Sequence, residues 1–184
     1  MPRARSSETR ERIQAAALEL FAAKGVQQTS LREIAERLGV TKPALYYHFA
    51  SREELVRSLV RPLVDEVEAL LAADEARESV DPRALLAGYF DATYRHRRIT
   101  LMIVRELVTL SYLDLGERIA DWRWRLIALL TGPDAPLDAQ ARAIVAVGGM
   151  GDCMVFFADR PVEELRPATL NAAYAALGLP LIGD

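Results

Sequence analysis

Apolar residues recur at helical spacing along nearly the whole chain. From Glu8 to Lys24 they fall at Ile13, Ala16, Ala17, Leu20 and Phe21, the stripe of a helix with one buried face. Lys24 and Gly25 then supply a cation for the last turn and a residue free to take a left-handed cap. Ser30-Leu-Arg-Glu33 sets a Ser three residues before a Glu, a capping box that opens a second short helix. That helix buries Leu31, Ile34, Ala35 and Leu38 and stops at Gly39. Thr41 offers an N-cap oxygen to a third short helix, with Pro43 in its first turn, running to about Phe49. Ser51-Arg-Glu-Glu54 is a second capping box, and it opens a much longer helix carrying Leu55, Leu59, Leu63, Val67, Leu70 and Leu71, with a kink expected at Pro62.

Asp81-Pro82 reads as the start of a fifth helix through about Arg97. Ile99 to Leu130 reads as two helices with a break near Asp114 to Gly116, and Thr131 to Pro136 as a loop. Asp138 to Ala158 is an apolar helix containing Gly148, Gly149 and Gly151, and Val162 to Leu177 is a last helix ended by Gly178 and Pro180. No alternating run is long enough for a strand, so the expected fold is all-α. Its expected organisation is an N-terminal three-helix head over residues 1–50, a helix linking from 51, and a helical body over 51–184.

The second and third helices, joined by about three residues, have the helix-turn-helix arrangement. Leu45 and Phe49 are i, i+4 partners that point into the head's core, which leaves Lys42, Ala44, Tyr46, Tyr47 and His48 facing outward. Two outward tyrosines serve no packing purpose, whereas DNA gives every residue of this set a role. Lys42 adds a cation beside helix N-terminal N–H groups that already attract phosphate. Tyr46 and His48 donate to phosphate oxygens, Ala44 and the Tyr47 ring suit a thymine methyl, and the Arg32 fork reads guanine or grips phosphate.

On these residues the chain resembles the TetR family of transcriptional regulators. The resemblance runs from Thr9 to about Leu59 and rests on Ile34-Ala35, Leu38-Gly39-Val40, Leu45-Tyr-Tyr-His-Phe49 and Ser51-Arg-Glu-Glu-Leu55. It implies an all-helical homodimer that binds a palindromic double-stranded DNA operator through its heads and encloses a small-molecule effector in its body, effector binding releasing the DNA. It also implies DNA contacts from Ser30, Arg32, Thr41, Lys42, Ala44, Tyr46, Tyr47, His48 and Arg52, with Thr29 or Ser30 as the hydroxyl that meets phosphate. Arg3 and Arg5 lie in an arm that either enters the minor groove or stays solvated. Repression is the expected outcome; activation, or an architectural or division-type DNA-binding role without an inducer, is the alternative.

Beyond about Val60 the resemblance is one of architecture. Polar and aromatic residues within the apolar helices, Tyr89, Tyr94, Met102, Glu106, Thr109, Tyr112, Trp122, Asp152 and Phe156, are candidates to line an effector pocket, and they imply a mostly apolar, partly aromatic ligand. Gly148-Gly-Met-Gly151 lacks the strand and the Lys-Ser/Thr of a phosphate loop, so its small residues are assigned to close helix packing at the dimer interface.

Composition narrows the chemistry. The 184 residues are 51% hydrophobic, enough for a folded core. One Cys excludes an internal disulfide, and His48, His96 and Cys153 are too far apart in sequence to suggest a metal site. No nucleophile-base motif or cofactor loop is present, so neither an enzyme nor a cofactor is expected. The polar, basic first residues and the interruption of the most apolar stretch by Arg142 and Asp152 point to a cytoplasmic protein without a membrane span. Net charge is -3, which by itself argues against nucleic acid. The charge is segregated, however: residues 1–60 hold 10 Lys and Arg against 7 Asp and Glu, and residues 61–184 hold 13 against 19. A modestly positive head therefore precedes an acidic body, and DNA affinity is expected to rest on a few placed contacts with a moderate salt dependence.

Overall fold

A computed structural model of the chain describes residues 2–106 and 115–180, with side chains throughout except those of residues 2–6 and 115. All regular structure among these residues is helical: α1 (Pro2–Lys24), α2 (Leu31–Leu38), α3 (Lys42–His48), α4 (Arg52–Glu75), α5 (Pro82–Arg95), α6 (Arg97–Arg105), α7 (Leu115–Thr131), α8 (Leu137–Phe156) and α9 (Val162–Leu177). The first helix starts at Pro2, six residues before Glu8, where its start was expected. The expected break near Asp114 borders residues outside the description; α7 begins just beyond it.

The head is α1 packed on α2, with α2 packed on α3. Ile13, Ala17, Ile34, Leu45 and Phe49 are fully enclosed in its core. Gly25 and Gly39 sit at φ +88 and +67, the left-handed conformation that ends α1 and α2 at no steric cost. Leu38, expected to be buried, is only half-buried at the end of α2.

Ser30 Oγ accepts from the Glu33 N–H at 3.2 Å, the first half of the capping box. The Glu33 carboxylate also pairs with Lys24 at the end of α1, which ties the two helices together; Lys24 first, with the Ser30 backbone N–H as a lesser contributor, holds the Glu33 carboxyl below its ordinary pKa. Ser51 Oγ accepts from the Glu54 N–H at 3.0 Å, and Glu54 reaches one residue further back, to the Ala50 N–H at 2.7 Å.

Helix α4 belongs to both halves of the molecule. Near its start, the Gln14 amide donates to Ser58 Oγ at 2.9 Å and lies 3.5 Å from the Ser58 carbonyl. That carbonyl is the one Pro62, lacking an N–H, leaves without its helical donor. The helix runs through Pro62 without interruption. Further along, α4 packs on α5 and α7. Arg125 forks onto Glu75 with two bonds of 2.8 Å, and Arg118 donates to Glu68 at 2.8 Å. α8 packs on α9, α7 and α6, and α9 packs also on α5, where Arg166 forks onto Asp91 at 2.7 and 2.9 Å.

Candidate nucleic-acid interface and body cavity

The outer surface of the head carries three helix N-termini with a hydroxyl cap at each: Ser30, Thr41 and Ser51. Ser30, Arg32, Lys42, Tyr46 and Arg52 come together around one hollow between the starts of α2 and α4 and the face of α3. Unpaired N–H groups at such ends and a nearby Lys favour phosphate. Tyr47 projects furthest, at 81% exposure, with Tyr46 at 43% and Lys42 and Ala44 also exposed. Lys42 Nζ lies 5.5 Å from the centre of the Tyr46 ring, and His48 packs its ring edge-on to Tyr47 at 5.3 Å. From inside, Arg10 holds the C-terminal end of α3, donating to the His48 carbonyl at 3.0 Å while lying 4.2 Å over the Phe49 ring.

Three of the anticipated contact residues are already engaged. Thr29 is corrected: it is 1% exposed, and its hydroxyl turns inward to donate to the Gly25 carbonyl at 2.9 Å. Ser30, its neighbour, takes the exposed capping position. Arg52 donates to the Val26 and Gln27 carbonyls at 3.3 and 2.8 Å, bracing the turn between α1 and α2. Arg32 forms an exposed pair with Glu36 at 2.7 Å, one that solvent screens and DNA phosphate can displace.

In the body, α4 to α8 enclose a cavity of about 300 Å³. Its walls are mainly Leu63, Ile103, Val104, Ile119 and Val147, with Tyr89, Thr93, Thr100, Trp122, Arg123 and Asp152 as the polar contributors. Of the anticipated pocket residues, Tyr89, Trp122 and Asp152 are brought together here. Met102 and Glu106 are not: they face a separate hollow between α6 and α1, where Glu106 reaches Gly25. Phe156, at the end of α8, is 80% exposed and lines nothing, and Tyr94 stacks on Phe90 away from the cavity. Thr109 and Tyr112 lie outside the described residues.

Thr93, Thr100 and Arg123 were missed as wall residues. Two threonines within buried helices were the available signal, and both hydroxyls are spent on the backbone. Thr93 donates to the Tyr89 carbonyl at 2.7 Å, and Thr100 to the Thr93 carbonyl at 2.8 Å across the α5–α6 junction. Gly148 and Gly151, assigned to a dimer contact, border the cavity, and Gly149 between them has nothing within 4 Å of where a Cβ would lie. Among the described residues no cluster of His, Cys, Asp and Glu is placed to hold a metal, and no helix is long and apolar enough to cross a membrane.

A helix-turn-helix head with exposed polar and aromatic side chains, set on a helical body, defines a DNA-binding regulator. Residues 13–59 match the family model for bacterial regulatory proteins of the tetR family. The chain is 36% identical over 103 residues to the HTH-type transcriptional regulator TtgR of Pseudomonas putida, covering 56% of this chain and 44% of that protein. It is 35% identical over 104 residues to the HTH-type transcriptional repressor KstR2 of Mycobacterium tuberculosis, covering 55% and 48%. With the HTH-type transcriptional regulator TcmR of Streptomyces glaucescens it shares 32% identity over 155 residues, 76% of this chain and 67% of that one. The solved structure of KstR2 superposes with a TM-score of 0.70 at 22% identity, over 92% of this chain and 93% of that chain. The chain belongs to the TetR family of transcriptional regulators. Aligned regions span less than half the length of TtgR and KstR2.

Proposed function

We propose that the protein is a cytoplasmic homodimeric repressor that binds a palindromic operator and is released when a small, mostly apolar effector enters the body cavity. The observation that carries this reading is the two-faced packing of α6. One side of the helix, at Thr100, Ile103 and Val104, is cavity wall; the other packs on α1, with Leu101 and Met102, and Glu106 just past its end, facing Leu18, Phe21 and Ala22 of α1 and Gly25 beyond it around a small hollow. A ligand that shifts α6 therefore pushes directly on the head. Leu63 of α4 adds a second route, since α4 also begins in the head. An effector shifts the DNA-bound population only by its differential affinity for the two arrangements, and a cavity wall that is also a head contact supplies that difference.

Dimerisation is supported by apolar stripes that one copy leaves in water. On α8, Val145 is 64% and Phe156 80% exposed, with Ala141 and Gly149 between and beside them; on α9, Ala168, Ala172 and Ala175 face out. Small residues on packed neighbouring helices suit close approach of a second copy. Repression is the role of the relative KstR2, a transcriptional repressor. The test is a footprint across the DNA flanking the protein's own gene. One protected palindrome whose half-sites lie about one helical turn apart, lost on effector addition, is the expected result. Similar affinity for many unrelated sites would instead establish the architectural role.

A further inference from the structure

The cavity carries hydrogen-bond donors that the protein does not use. Arg123, half-buried, lines it with no ion pair or hydrogen bond to any described residue, while the other two arginines of α7, Arg118 and Arg125, are both paired with carboxylates of α4. Its guanidinium lies over the α8 backbone, Nη2 being 4.0 Å from where a Cβ on Gly148 would sit. Asp152 shares the wall but is exposed and forms no ion pair with Arg123. The Trp122 indole N–H is sealed from water without an acceptor, and Tyr89, itself largely buried, lines the same wall. The two rings are neighbours, 5.7 Å apart. Burial raises the Tyr89 pKa and the Arg123 charge opposes that shift, so the hydroxyl remains a donor and lies within the field of the guanidinium. Thr93 and Thr100 direct their hydroxyl protons to carbonyls.

An unsatisfied donor beside a cation in a water-poor wall is costly until an acceptor arrives. We infer that the effector is a small organic carboxylate: a planar apolar body of one or two rings lying against Leu63, Ile103 and Val147, with its carboxylate between Arg123 and the Tyr89 hydroxyl. This rests on the cavity being the effector site. A volume of about 300 Å³ is at the low end of small-molecule pockets and suits a body of one or two rings. Guanidinium and carboxylate match as planar forks, which a neutral amide of the same shape cannot reproduce.

The experiment is calorimetric titration of the full-length protein with 2-naphthoate and cinnamate, each against its carboxamide, alongside operator release in a gel shift. The carboxylates should bind about tenfold or more tightly than the amides, as a charge-assisted pair demands. Arg123→Gln should abolish that preference, Arg123→Lys should keep only the part that charge alone supplies, and Tyr89→Phe should weaken carboxylate binding severalfold; melting curves establish that each variant is folded. Equal binding of acid and amide, a preference that survives Arg123→Gln, or no binding of either carboxylate at millimolar concentration would overturn the assignment. If the neutral amides bind and release DNA as well as the acids, only the carboxylate assignment fails. If compounds bind in the cavity and the protein stays on its operator, it is the effector reading that fails.

Discussion

Tyr47 is the most exposed aromatic side chain of the proposed DNA-binding surface. It is 81% exposed and supports nothing beneath it except the edge contact with His48, so its ring is free to meet a base. Tyr47→Ala is expected to weaken operator binding by about tenfold or more, the scale of one lost base contact, with an unchanged melting temperature. Thr29→Ala should do the reverse, lowering stability by about 1 kcal/mol through loss of its bond to Gly25 while leaving operator affinity per folded molecule nearly unchanged. Chemical denaturation and gel shift on the same preparations separate the two. Adjacent hydroxyls at Thr29 and Ser30 are equivalent to a sequence reading, since either can cap a helix that begins at Leu31. The choice depends on where α1 leaves the Gly25 carbonyl, a position no local pattern contains. Arg52 was legible as a cation at a helix start, but not as a brace on a turn two dozen residues earlier.

At the scale of elements, ion pairs between helices give the body a defined acid response. Arg125 forks onto Glu75 and lowers its pKa, as Arg95 and then His96 do for Glu66. A carboxyl whose folded pKa is depressed contributes stability that is present above its unfolded value, about 4.5, and lost as pH falls through the folded value. Stability should therefore decline below about pH 4.5, and Glu75→Gln should flatten part of that decline. At neutral pH the same change should cost under about 1 kcal/mol, because the pair is partly exposed and screened. Urea titrations from pH 3 to 7 read both effects. Helix starts and stops were largely visible in advance because caps are local: Ser30, Thr41, Ser51 and Asp81 each accept from an N–H two or three residues on. What was not visible is the tertiary side of the capping boxes: Glu33 also pairs with Lys24 of another helix, and Glu54 accepts from the Ala50 N–H, one residue before the cap.

On the scale of the whole molecule, the positive balance of the head and the negative balance of the body put charge where a dimer on DNA has use for it. Operator affinity should fall with salt along a moderate slope, measured as log K against log salt, since few cations are free to meet phosphate. Val145→Glu on the open stripe of α8 is expected to shift sedimentation toward monomer and to weaken operator binding together, because two half-sites require two heads. Gly149→Leu should act in the same direction, whereas a larger residue at Gly148 should also intrude on the body cavity.

The amino-acid sequence alone determined most of the helices and the helix-turn-helix arrangement with its outward-facing tyrosines, because apolar period and capping residues are written within a few residues of one another. Only the tertiary structure decided the cavity. Tyr89, Arg123 and Asp152 come from three helices and meet through packing, while Met102, Glu106 and Phe156, equally plausible by residue type, are turned elsewhere by the phase of their helices. A side chain's neighbours in another helix depend on crossing and rotation, which the periodicity of one helix does not encode.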